Sequence, residues 1–183
     1  MRIKSVLCWG GALFIAGVFL DSLRFKFTGH ETPRHIFTTL ADWSGIGLFY
    51  PAGPWIIGIA ELAAAVLLVA LPLLAASQGR HVLGQASQLA GAALALGVMS
   101  GAILFHLFTP LGIRTPTAWA DGAVTAEGSA LFVAACACWV LAAMIIVLRR
   151  DALAALPLRL GRGRAMVTSE RDPVRRAGQA VGQ

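Results

Sequence analysis

The sequence predicts an all-α fold: an integral membrane four-helix bundle with a short interfacial helix in the first outer loop. Three observations predict it. The 183 residues are 57% hydrophobic and only 13% charged, against about 25% charged in average globular usage. The apolar residues gather into four runs, each near the ~20 residues that cross a ~30 Å hydrocarbon layer. Lys and Arg are spread unevenly over the segments that join those runs. Mean hydropathy is +0.74, and a soluble fold would have to bury all four runs in one small core. Lipid offers no partner to exposed backbone groups, so the runs read as helices.

The first span, about 5–23, follows Arg2 and Lys4. No small-x-small cleavage site succeeds it; the chain continues Phe19-Leu20-Asp21-Ser22-Leu23-Arg24, which predicts an uncleaved anchor rather than a signal peptide. In the loop that follows, Thr32-Pro33 suits an N-cap and first helical residue. Phe37, Leu40 and Trp43 recur at helical spacing and Gly45 suits a stop, so a short helix over about 33–43 is expected to lie on the membrane surface. The second span covers about 54–76, the third about 88–108 and the fourth about 128–148. Gly91, Gly97 and Gly101 mark the third, and Gly53 with Ala60 and Ala63–Ala65 enriches the second; small residues let helices approach closely in lipid. Trp43, Tyr50, Trp55 and Trp119 fall near the outer boundaries, as an aromatic belt requires.

Residues 1–150 thus read as one transmembrane domain and 151–183 as a basic tail. One side of the membrane collects Arg2, Lys4, Arg80 and arginines 149, 150, 159, 162, 164, 171, 175 and 176. The other has Arg24, Lys26, Arg34 and Arg114, a ratio of eleven to four. Both termini are expected in the cytoplasm, with loops 24–53 and 109–127 outside. The tail, with Gly161-Arg162-Gly163-Arg164, has the composition of a disordered segment. It suits the surface of an anionic lipid layer, and no nucleic-acid partner is inferred.

Cys8, Cys136 and Cys138 lie inside apolar runs and form no C-x-x-C pair, which leaves redox and zinc motifs unsupported. Cys136 and Cys138 face different sides of a helix.

The costliest residue is Glu61, inside the run Ile56–Leu71. A charge at bilayer depth costs roughly 2.5–3.5 kcal/mol on insertion scales and marks a site with a partner. Glu61 lies about seven residues from the outer start of its span, roughly 10 Å deep at 1.5 Å per residue. The alternating direction of the spans brings Asp21, Arg24, Lys26, Glu61 and His106 toward one level. Arg24 is the expected first partner, since guanidinium pairs bidentately with carboxylate; His106 is the second, and Lys26 can snorkel outward. An imidazole can exchange a proton at physiological pH, so Glu61 and His106 are the catalytic candidates. The same cluster also suits a purely structural ion pair. A metal site from His30, His35, His106 and Glu61 matches no ligand spacing, and none is assigned.

At these residues the chain resembles the DoxX-like family of small bacterial membrane proteins. The carriers are Leu23-Arg24-Phe25-Lys26-Phe27-Thr28-Gly29, His35-Ile36-Phe37, Gly58-Ile59-Ala60-Glu61-Leu62 and Ser100-Gly101-Ala102-Ile103-Leu104-Phe105-His106. The resemblance spans about residues 5–148. It implies a four-helix bundle in the bacterial cytoplasmic membrane and a link to quinone-coupled oxidation or redox stress. A related branch carries paired cysteines for thiol–disulfide exchange, which this chain lacks. The implied function is a membrane subunit of a quinone-linked oxidoreductase, not catalytic alone. Arg24, Lys26, Phe25, Phe27 and Trp55 would receive the quinone headgroup. No covalently bound cofactor is implied, and with no haem, flavin or iron–sulfur ligand pattern, the electron donor would have to be another subunit. The alternative is a membrane assembly protein in which the polar cluster only holds helices together.

Overall fold

A computed structural model describes residues 2–151 of the chain. The expected tail therefore lies, apart from Asp151, outside the described residues. Among the described residues four helices are long and apolar enough to cross a membrane: α1 (Arg2–Phe27), α3 (Ala52–Ser77), α4 (His81–Phe108) and α5 (Ala130–Arg149). The protein is a small multi-pass membrane protein with its core on the bundle axis. Ile15, Phe19, Leu68, Met99, Cys138 and Ile145 meet there. Leu13, Ile59, Leu104, Val133 and Val147 are exposed on the flanks, which is unremarkable in hydrocarbon, where apolar surface has no reason to hide.

The short helix expected on the surface is α2 (Glu31–Ser44). It begins earlier than the Thr32 cap predicts, because His30 serves as the cap: its Nδ1 accepts from the Thr32 N–H at 3.2 Å. Gly45 ends it at φ +71° and donates its N–H to Ala41, the left-handed stop that glycine alone adopts without a Cβ penalty. Pro33, Phe37 and Leu40 face inward, while Arg34 and Asp42 face out. The helix is a lid of one apolar stripe laid over the end of the bundle.

The loop expected over 109–127 is instead mostly a hairpin, β1 (Thr115–Ala120) and β2 (Ala123–Gly128), paired antiparallel. Asp121 and Gly122 turn it with φ of 51° and 78°. Two successive positive φ values define a turn whose twist matches paired strands, and Asp-Gly is its favoured sequence. The hairpin docks on α2. Thr32 Oγ1 donates to Pro116 O at 3.2 Å, the Trp119 indole N–H reaches Thr32 Oγ1 at 3.5 Å, and His35 packs edge-on against the Trp119 ring. Trp119 is therefore a docking residue of this lid.

Within α3, Val66–Ala70 form a π-helical turn. Its cause is Pro72. Proline has no N–H for the carbonyl four residues back, and its ring crowds that carbonyl, here Leu68 O. Leu71 donates to Val66 O, five residues back, and the widened turn frees carbonyls that α4 then satisfies. Ser87 Oγ donates to Leu67 O at 2.8 Å, and Gln88 Nε2 reaches Leu68 O at 3.4 Å. Such approach needs a glycine. A Cβ on Gly91 would stand 2.9 Å from Leu67 Cβ and 2.9 Å from Leu68 N.

Gly97 and Gly101 behave differently from the close-contact role their spacing predicts. A Cβ at either position would meet nothing within 4 Å. Gly91→Ala is thus expected to lower the unfolding midpoint in detergent, at the 1–3 kcal/mol typical of overpacking (about that order). Gly97→Ala should stay within about 0.5 kcal/mol; equal losses in thermal unfolding would overturn this assignment of the α3–α4 seam.

Candidate functional site

Glu61 is 3% exposed, nine residues along α3 from Ala52, or roughly 14 Å at 1.5 Å per residue. Its partner is Lys26. The ammonium straddles the carboxylate, with Nζ 2.7 Å from Oε1 and 2.6 Å from Oε2. The third ammonium proton points to Ser22 Oγ at 3.1 Å. An ammonium has three donors and no acceptor, so Lys26 is fully engaged. Ser22 Oγ lies 2.6 Å from Glu61 Oε2 and 2.7 Å from Phe19 O; its single proton serves one of them at a time.

Arg24, the partner expected first, is a surface residue. It pairs with Asp21 at 2.9 Å, both side chains are largely exposed, and its guanidinium lies over the Phe25 ring. The physical reason is helix rotation. Ser22 and Lys26 are four residues apart and share a face, whereas Arg24 lies between them and points away. Lys26 therefore turns inward, not out to the interface.

Glycine again sets the approach of two helices. A Cβ on Gly58 would fall 2.5 Å from the Phe27 ring. Phe27 lies over that glycine and stacks on Trp55, with ring centroids 4.8 Å apart. The pair clamps α1 to α3 one turn from Glu61.

Beside the ion pair is a cavity of about 270 Å3. All five helices line it: Phe19 from α1, Leu40 from α2, Ile57 from α3, Phe105 from α4 and Ala135 from α5. Its polar groups are Ser22, Lys26, Glu61 and His106. Gly97 and Gly101 line it too, so the space beside these glycines is cavity.

His106 is 7% exposed. Its Nδ1 lies 2.6 Å from Gly112 O. A carbonyl only accepts, so Nδ1 carries the proton, and in the neutral ring Nε2 is an acceptor. Among the described residues His106 makes no other hydrogen bond. Phe132 packs edge-on against the imidazole. The position thus combines a bond to a backbone carbonyl with a place on the cavity wall.

The structure brings Lys26, Glu61 and His106 to one cavity and leaves Arg24, Phe25, Phe27 and Trp55 outside its wall. Phe25 packs against His30. His30 caps α2 and His35 meets Trp119, so neither joins His106. Among the described residues no three His, Cys, Asp or Glu side chains are grouped to hold a metal ion. Ser22, Phe19, Phe37 and Phe105 are site residues the sequence reading missed. Phe19, Ser22 and Lys26 follow one another by three and four residues, the spacing of a single helix face, and that pattern was the available signal.

Fold and site define a small membrane protein whose four spans enclose an apolar cavity beside a buried ion pair. Comparison of the chain with protein-family models, with curated proteins and with solved structures gave no match.

Removing one member of a buried pair is strongly destabilising, by about 3–5 kcal/mol, because the other is left uncompensated. Lys26→Met should lose stability on that order in detergent unfolding. The double variant Lys26→Met with Glu61→Leu should recover most of it, and Arg24→Gln should cost at most about 1 kcal/mol. A cycle with no coupling between Lys26 and Glu61 would refute the pairing.

Proposed function

We propose that the protein is a membrane subunit of a quinone-linked oxidoreductase or redox-stress system, as its resemblance to the DoxX-like family implies. The observation that carries the reading is the cavity: apolar walls with a lysine–carboxylate–serine cluster and a histidine. Ligand sites are mostly apolar with a few placed polar groups, and typically measure about 300–1,000 Å3. About 270 Å3 suits one substituted ring. A quinone headgroup is such a ring, with two carbonyls to orient.

The chain's own groups divide the work. Lys26 has no donor to spare and holds Glu61 in place. His106 Nε2 accepts from the hydroxyl of a quinol in the neutral ring and donates to a quinone carbonyl once protonated. Glu61 and Ser22 line the same cavity and would carry that proton onward, a role that requires hydrogen-bond reach or a bridging water. Electrons would leave to or arrive from a partner subunit. The resemblance implies the bacterial cytoplasmic membrane; on the positive-inside reading both termini are cytoplasmic and the cavity lies in the outer half.

A second reading, an assembly protein with a structural cluster, is favoured by one observation. Both Glu61 oxygens and all three Lys26 donors are satisfied within the protein.

A photoreactive short-tailed quinone separates the two. In lipid nanodiscs it should label the cavity wall of the wild type and be competed by unlabelled quinone. Gly101→Leu, which projects into open space, should abolish labelling. His106→Leu should weaken it about tenfold, the order expected for losing a hydrogen bond to a buried ligand group, at unchanged abundance. Labelling that is uncompeted, or indifferent to both variants, leaves the assembly reading.

Orientation has its own check. On spheroplasts, an impermeant maleimide should react with Ala123→Cys and not with Asp151→Cys; the reverse pattern would put the cavity in the cytoplasmic half.

A further inference from the structure

The end of the bundle opposite α2 contains a second polar centre, and it originates in the Pro72 break. The freed Leu68 carbonyl holds the Nε2 of Gln88, a residue 1% exposed. The other end of that amide, Oε1, then accepts from Arg149 Nε at 3.1 Å. Arg149 is the last residue of α5, where a cation would ordinarily extend to water. Here a buried amide holds the guanidinium inward, half-buried, over a pocket of about 100 Å3. Ser5, Trp9, His81 and Gln85 also line it.

We propose that this pocket binds the phosphate of an anionic phospholipid. The first argument is charge. A guanidinium carries five N–H donors; the Nε–H goes to Gln88, the neighbouring Cys8 thiol lies against the same group, and a neutral thiol and an amide leave its charge unbalanced. Among the described residues no carboxylate lines the pocket. The charged groups near this end are Lys4, Arg80, His81, Arg150 and Asp151, all exposed; four of the five are basic or imidazole. A partly buried cation without a counter-charge calls for an anion.

The second argument is position. The pocket lies where α3 ends and α4 begins and where α5 stops, the level at which helix ends meet headgroups. Basic pockets between spans at that level bind phosphate-bearing lipids, and the amphipathic ring of Trp9 suits the same boundary. The third is size and geometry. The volume admits a phosphate with its ester arms, and a guanidinium fork matches phosphate oxygens bidentately. Ser5, Gln85 and His81 are additional donors on the wall. The site is independent of the quinone reading.

Purified full-length protein in detergent would be titrated with phosphatidylglycerol and phosphatidylcholine, and bound lipid read by native mass spectrometry. Phosphatidylglycerol should bind tighter, and Arg149→Gln should weaken it about tenfold, as expected for losing a charge-assisted pair. Arg150→Gln removes the same charge from an exposed neighbour and should change binding less than about twofold. Gln88→Leu keeps the charge and removes the strut, and should cost selectivity for the anionic lipid. Arg149→Lys makes the same test if that variant fails to fold. Equal retention of both lipids, or equal losses from Arg149→Gln and Arg150→Gln, would overturn the site. Arg149-dependent binding of inorganic phosphate without phosphatidylglycerol binding would identify free phosphate as the ligand and overturn the lipid assignment.

Discussion

In hydrocarbon a polar group without a partner costs several kcal/mol, and this protein is organised around that constraint. The clearest case is Glu61, which would be untenable in α3 alone. Lys26 and Ser22 answer it from α1, and the answer fixes how the two helices rotate against each other. Gly58 and the Phe27–Trp55 stack follow from the same requirement, because the ammonium reaches the carboxylate only if α1 lies close to α3. A charge pair of this kind contributes little net stability compared with apolar residues of equal volume. Its value is specificity: one rotation satisfies it and others do not.

Much of the fold was legible in the sequence because its causes are local. Span length, the Gly45 stop and the shared level of Lys26, Glu61 and His106 follow from counting residues along helices of known rise. What was not legible depends on rotation and on pairs of elements. Arg24 was the better carboxylate ligand by chemistry, yet it lies on the wrong side of α1, and only a face-by-face reading distinguishes it from Lys26. The hairpin was announced by Asp121-Gly122 but passed over when 109–127 was read only as an outer loop. Gly97 and Gly101 had the spacing of a packing motif, but spacing cannot tell a glycine that meets a helix from one that borders a cavity.

The cavity itself follows from those placements. The core is well filled around Leu68 and Ile145, while toward α2 the wall of α4 is glycine at two positions. The ion pair keeps α1 and α3 together there without filling the space, and α2 closes the top with Phe37 and Leu40. The cavity's polar groups come from three spans, Ser22 and Lys26 from α1, Glu61 from α3 and His106 from α4.

The π turn has a consequence for biogenesis. A span emerging into the bilayer by itself must satisfy its own backbone. α3 does not, since Pro72 leaves Leu68 O without its helical donor and Glu61 adds a charge. Both deficits are made good by neighbours, Gln88 from the next span and Lys26 from the preceding one. α3 is therefore a poor membrane segment when it leaves the translocon and a good one once α1 waits beside it and α4 follows. Insertion of this chain is cooperative: its second crossing is completed by the first and the third.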